Sequence, residues 1–312
     1  MNIFWAIVLL VVGLVMLWKS ADWMVDGAIG FAEQLGISAL VIGLTIVAMG
    51  TSAPEVAASI AAAIQNKGNM ALGNVYGSNI ANLALVGGLC ALIRPIQVKS
   101  SMIRREMPAM ILVGLLLWPL LLNKELSRPE GAALLTIFAA LIGATVYLAR
   151  KNTENPKLTA EAKSQNTKKH LLLIVVGLAG LALGAKITVD GAVFIGREIG
   201  LNEAVIGLTI IAIGTSLPEL ITSLVAITKG QHDISIGNLV GSNIFNTLLV
   251  TGTAGVVRPF VVAARLTKID YWIMITVTIV FVAMAILTKR IGRICGLILF
   301  SGYVAYMIYL LA

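Results

Sequence analysis

Two glutamates, each directly after a proline, sit inside stretches apolar enough to cross a membrane. Gly43-Leu-Thr-Ile-Val-Ala-Met-Gly-Thr-Ser-Ala-Pro-Glu55 returns 164 residues later as Gly207-Leu-Thr-Ile-Ile-Ala-Ile-Gly-Thr-Ser-Leu-Pro-Glu219, identical at 10 of 13 positions. Ionisable groups at such depth are costly and mark ion or substrate paths. Pro54 has no N–H for the carbonyl of Gly50 and crowds it, so a helix bends or breaks there; Pro218 does the same to Gly214. An orphan carbonyl in hydrocarbon is expensive, so such a break persists where something refills it. A hard cation is one filler, because it prefers carboxylate and carbonyl oxygens. A packing kink filled by the Thr51 or Ser52 hydroxyl is the plainer alternative. The glutamate after each proline favours an ion site, since neither acid has a Lys or Arg within its span to pair with.

A second motif supplies neutral oxygens. Gly73-Asn-Val-Tyr-Gly-Ser-Asn-Ile-Ala-Asn82 matches Gly237-Asn-Leu-Val-Gly-Ser-Asn-Ile-Phe-Asn246 at 7 of 10 positions, again 164 residues apart. Asn74, Ser78 and Asn82 fall at i, i+4 and i+8, on one helix face. Ser78 and Asn82, with Ser242 and Asn246 in the second copy, form strips that could face the glutamate of the preceding helix. Asn74 and Asn79 could instead hydrogen-bond across helices in a structural role. Gly73, Gly77, Gly237 and Gly241 allow close helix approach.

The elements that must position these groups are membrane helices. Hydrophobic residues make up 58% of the 312 and charged residues 12%, against about 25% charged in soluble domains. The longest polar run, Arg150 to Lys169, is too short for a core of its own and is expected to be a solvated linker. The net charge of +8 fits basic residues gathered in cytoplasmic loops and gives no reason to invoke nucleic acid. Cys90 and Cys295 read as small apolar residues within helices. The first apolar segment lacks a basic leader and a cleavage site, so a retained first helix is expected.

A span needs about 20 apolar residues, and ten segments qualify: roughly 3–20, 38–65, 70–93, 104–122, 129–149, 170–190, 202–228, 233–257, 268–288 and 293–311. With both termini outside, 15 of the 23 Lys and Arg fall on the cytoplasmic side, as the positive-inside rule requires. The 164-residue offset also relates Gly13 to Gly177, Val25-Asp-Gly-Ala28 to Val189-Asp-Gly-Ala192, and Arg94-Pro95 to Arg258-Pro259. The halves, 1–149 and 170–312 around a cytoplasmic linker 150–169, therefore carry five spans each. An odd number makes the second half enter the membrane from the opposite face, the inverted repeat typical of secondary transporters. A purely structural duplication would not explain why polar residues are the best-matched part.

These duplicated motifs resemble the two alpha-repeats of the calcium/cation antiporter superfamily, which includes the Na⁺/Ca²⁺ exchangers. The resemblance covers the whole chain and is nearest to the small prokaryotic members. It implies an all-α membrane protein of ten helices, with helices 2, 3, 7 and 8 broken, in a prokaryotic inner or cell membrane. It implies that Glu55 and Glu219 are the central Ca²⁺ ligands, with backbone carbonyls of Ala48, Thr51, Ala212 and Thr215 as further ligands. Ser52, Ser78, Ser216 and Ser242 would complete flanking Na⁺ positions, and Asn82 and Asn246 the middle of the cluster. Some members carry an aspartate where this chain has Asn246, which leaves two fixed carboxylates here instead of three. The family's first and sixth helices are expected to slide against the other eight, and Gly177, Gly180 and Gly184 suit such a face or plain small-residue packing.

The expected activity is exchange of Ca²⁺ for Na⁺, with inorganic cations and membrane lipid as the contacts and no cofactor or obligatory protein partner. A buried glutamate also protonates readily, so Ca²⁺/H⁺ exchange is the near alternative and a cation channel the remote one. The spans hold no Ser/His or paired-Asp arrangement and no His-Glu-x-x-His motif, so an enzyme is not expected. Asp22, Asp26 and Asp190, at the ends of the first and sixth spans, read as interfacial caps or as cation attractors at a vestibule. His170 and His232 are expected at loop edges, in solvent.

Overall fold

Asn2 starts the first helix, α1 (Ile3–Leu35), by accepting a hydrogen bond from the Trp5 backbone N–H, and Gly36 ends it at φ 65°. The structure, a computed structural model, describes residues 2–151, 160–201, 206, 209–210 and 212–311. The helix runs 33 residues, well beyond the expected span 3–20. Next come α2 (Ala39–Thr51) and α3 (Ala53–Ile64), bent by 42° at Ser52, where Pro54 withholds its N–H. Helix α4 covers Gly68–Ile93, α5 Ser100–Arg104, α6 Glu106–Leu120 and α7 Arg128–Lys151.

The second half holds α8 (Ala160–Glu198), α9 (Ala212–Thr215), α10 (Leu217–Thr228), α11 (His232–Val257), α12 (Leu266–Thr288) and α13 (Arg293–Leu311). Helix α8 starts ten residues before the expected span 170–190, so part of the polar run is helical; residues 152–159 lie outside the described residues. Of the expected span 202–228, residues 202–205, 207–208 and 211 also lie outside them. Among the described residues seven helices are long and apolar enough to cross a bilayer, or eight if α2 and α3 count as one. The expected span 104–122 becomes α6, only 15 residues long.

Helices α4 and α11 are not broken, contrary to expectation. Each runs through without interruption but widens to a π-helical stretch, Ala81–Val86 in α4 and Asn246–Val250 in α11. No proline interrupts these runs. A π-bulge absorbs an extra residue and leaves the axis continuous, and such bulges favour functional sites.

Two short antiparallel clips fasten one half to the other. Strand β1 (Ile96–Gln97) pairs with β4 (Arg290–Ile291), and β2 (Glu125–Leu126) with β3 (Phe260–Val261). Inside, one large apolar cluster fills the space among α4, α6, α11, α12 and α13. A separate one lines α1, where Leu17, Ala21, Met24 and Val25 meet Leu181 of α8 and Val225 and Ala226 of α10.

Helices α1 and α8 pack antiparallel along their length through glycines. Gly13 abuts Gly184 and Thr188, Gly177 abuts Ser20 and Met24, Gly27 abuts His170 and Ile174, and Gly191 abuts Ala6 and Leu10. Exchanging the two helices by the 164-residue offset turns one contact into another: Gly13 against Gly184 becomes Gly177 against Ser20. A Cβ at Gly13 would stand 2.8 Å from the Thr188 backbone nitrogen, and one at Gly191 2.8 Å from the Ala6 carbonyl oxygen. His170 is therefore not a solvated loop residue; it lies within α8 with its ring against Gly30. His232 opens α11, half-buried, and its Nδ1 accepts from the Gln97 N–H at 3.4 Å. Cys90 and Cys295 are free thiols.

Candidate cation site

The bend at Ser52 and its counterpart at Ser216 put each glutamate in the first turn of a helix, Glu55 in α3 and Glu219 in α10. A helix N-terminus presents unsatisfied N–H groups and a positive dipole end, which makes a buried carboxylate tolerable there. Helix α3 packs on the π-helical stretch of α11 that begins with Asn246, and α10 on that of α4, which contains Asn82. Each half thus lends its acid to the other half's asparagine.

The two acids converge. Glu55 and Glu219 are 1% and 0% exposed. The Ser52 hydroxyl, three residues before Glu55, donates across the halves to Glu219 Oε1 at 3.0 Å. Thr51, Ser52, Ser78, Asn82, Ser216, Ser242, Asn246 and Ala48 are all buried, and Thr215 is half-buried at the end of α9, which Ala212 begins.

Around the acids most other polar side-chain oxygens lack a hydrogen-bond partner among the described residues: both carboxylate oxygens of Glu55, Oε2 of Glu219, the amide oxygens of Asn82 and Asn246, and the hydroxyls of Ser216 and Ser242. Buried polar atoms are normally paired, so this concentration of orphans in one place fits a cation that would collect them. Among the described residues no three His, Cys, Asp or Glu come together. The donors are oxygens, the chemistry of Na⁺ and Ca²⁺ and not of Zn²⁺.

Asn74 and Asn238 turn out to hold backbone. The Asn238 amide donates to the Glu219 carbonyl at 3.4 Å and to Ser223 Oγ at 3.0 Å; Asn74 donates to the Glu55 carbonyl at 3.4 Å and to Ser59 Oγ at 3.1 Å. Asn238 Oδ1 also accepts from the Thr51 hydroxyl at 3.0 Å, a second bond between halves. Asn79 is structural too, donating to Thr247 Oγ1 at 2.9 Å. Ser59 and Ser223 escaped the motif reading, yet they stand 164 residues apart and the repeat alone could have marked them.

Asp22 and Asp26 are not free caps. Both meet Lys229, just past the end of α10, at 2.6 Å. Burial works against the Lys229 charge, but the two carboxylates outweigh it and hold the ammonium above its ordinary range. Asp190 is exposed on α8.

The sequence pattern of the family described as sodium/calcium exchanger protein matches twice, at residues 5–147 and 169–312, and the matches begin 164 residues apart. The chain belongs to the sodium/calcium exchanger family. This makes it a membrane transporter of cations, not a member of an enzyme family. It is 42% identical to CaxA of Alkalimonas amylolytica, covering 98% of both chains. It is 32% identical to the sodium/calcium exchanger MaX1 of Methanosarcina acetivorans, covering 97% of both. Among solved structures, the sodium-calcium exchanger NCX_Mj soaked with 10 mM Na⁺ and zero Ca²⁺ superposes with a TM-score of 0.87 at 28% identity, covering 98% of this chain and 99% of that one.

Proposed function

We propose that this exchanger-family protein moves Ca²⁺ against Na⁺ across a prokaryotic inner or cell membrane by alternating access. The observation that carries the proposal is the pair of buried glutamates, one from each half, among side-chain oxygens that lack a hydrogen-bond partner among the described residues. Two ionised carboxylates carry about −2, which one Ca²⁺ cancels and which two or three Na⁺ approximately neutralise. Ions that compete for one desolvated anionic pair exchange without any further coupling device. The empty anionic pair is strongly unfavourable in a low-dielectric path, so the protein changes sides mainly when loaded.

In this reading Glu55 and Glu219 bind Ca²⁺ with the carbonyls of Ala48, Thr51, Ala212 and Thr215. Ser52, Ser78, Ser216 and Ser242 serve Na⁺, and Asn82 and Asn246 offer neutral oxygens between them. The ten spans form two inverted five-helix halves, with the termini outside and the linker in the cytoplasm. The antiparallel glycine contacts between α1 and α8 support this arrangement, because a twofold axis relating two antiparallel helices of one membrane lies in its plane. Helices α1 and α8 are the moving pair, supported by the apolar cluster that α1 keeps separate from the main core.

The test is Ca²⁺ uptake into inverted membrane vesicles under an imposed Na⁺ gradient or an imposed pH gradient. Sodium-driven uptake is expected. Uptake that ignores sodium and collapses with a protonophore would replace the Na⁺ assignment with H⁺, and unitary currents in planar bilayers would replace the carrier with a channel.

A further inference from the structure

The halves match in sequence but not in how their acid-bearing helices are covered. On α10, Thr222, Val225 and Ala226 are buried, the last two against the cluster on α1. Their counterparts 164 residues earlier on α3 are Ala58 and Ala61, both exposed, and Ala62, half-buried. Helix α1 packs along α10, whereas among the described residues α8, its mirror, barely touches α3. Among the described residues one glutamate helix is thus covered by a helix of the α1–α8 pair and its mirror is not.

The covered helix carries an ion-pair cluster with no counterpart among the described residues at its mirror. Lys229 Nζ lies 2.6 Å from Asp22 Oδ1, 2.6 Å from Asp26 Oδ1 and 3.3 Å from the Asp22 carbonyl oxygen. Asp22 and Asp26 are one turn apart on α1, so a single ammonium reaches both. The side chains of Lys229 and Asp22 are 26% and 30% exposed, so water screens this pair less than a surface one. Shifting by 164 replaces Asp22 with Lys186, Asp26 with Asp190 and Lys229 with Gln65, all three exposed. Gln65 carries no charge to meet Asp190, and among the described residues no ion pair joins α8 to α3.

We propose that Lys229 is a positioning residue of the transport cycle: by bridging Asp22 and Asp26 it clamps α1 over the Glu219-bearing helix, and among the described residues no equivalent clamp serves the opposite end. The proposal rests on the alternating-access reading above. The clamp makes the two end states unequal, favouring the one in which the site opens on the α3 side. A ligand's apparent affinity from either face scales with the fraction of molecules open to that face, so the clamp sets which face binds more tightly.

Half-saturating Ca²⁺ is to be measured in right-side-out and in inverted vesicles for wild type, Lys229→Gln and Lys229→Arg. Lys229→Gln is expected to change the ratio of the two values by about three- to tenfold, the scale of two partly exposed ion pairs. Total Ca²⁺ binding in detergent should stay within about twofold, and Lys229→Arg should restore the ratio. An unchanged ratio, or an equal shift from both faces, overturns the clamp. Separately, Asp26→Cys and Lys229→Cys, in a background of Cys90→Ala and Cys295→Ser, are joined by a short thiol cross-linker. Cross-linking should stop transport until it is cleaved; continued transport by the joined protein would reject the moving-helix reading itself.

Discussion

Replacing Glu219 with glutamine separates charge from shape. Glutamine keeps the volume of the fully buried side chain and an oxygen able to accept the 3.0 Å bond from Ser52; what disappears is one of two negative charges in the pocket. Removing one partner of a buried, desolvated charge pair costs about 2–5 kcal/mol, which corresponds to a roughly 30- to 4,000-fold weaker Ca²⁺ affinity. The empty protein should behave in the opposite sense. Two ionised carboxylates sharing one desolvated pocket would repel, and neutralising one would relieve that repulsion. The assay is calorimetric Ca²⁺ titration of the purified chain with thermal unfolding in chelator and in Ca²⁺. A site filled at 100 times its Kd stabilises wild type by about 2.7 kcal/mol. Glu219→Gln should unfold no earlier than wild type in chelator and lose the Ca²⁺-dependent rise. A variant that keeps both the rise and an affinity within about tenfold would remove Glu219 from the ion pocket.

Asn246→Asp adds a third carboxylate where both amide atoms are buried without partners. It should alter the Na⁺ or pH dependence of Ca²⁺ flux, and an unchanged profile would place residue 246 away from the ions. Asn238→Ala removes the donor to the Glu219 carbonyl and to Ser223 and the acceptor for Thr51; leaving these groups unsatisfied should cost about 2–4 kcal/mol, read as a lower unfolding midpoint. Gly13→Ala sets a methyl against the Thr188 backbone, and the overpacking should cost about 1–3 kcal/mol and slow transport more than Ca²⁺ binding, measured as flux and titration side by side.

The buried polar cluster was legible because its residues recur at one offset inside apolar helices, where little else explains them. Glu55 and Glu219 are buried inside apolar helices, and the bend at Pro54 lies where the missing N–H put it. Other features depend on partners distant in sequence. Helix α1 looked finished at Lys19 because Asp22 and Asp26 resemble an interface, yet Lys229, two hundred residues away, compensates them and the helix continues. The π-helical stretches around Asn82 and Asn246 leave no mark in composition, since ordinary helix-forming residues adopt them when packing demands an extra residue. His170 looked solvated beside the lysines that precede it, but the gap over Gly30 admits its ring.

The two β clips carry one more consequence. Each joins a strand from before the central linker to one from after it, and the glutamate helices likewise rest on the opposite half. The polypeptide is thus built as a fused dimer whose members grip each other more than themselves. Severing the backbone between residues 152 and 159 should leave two fragments that co-purify as one particle and still support flux, while neither fragment made alone should accumulate in the bilayer.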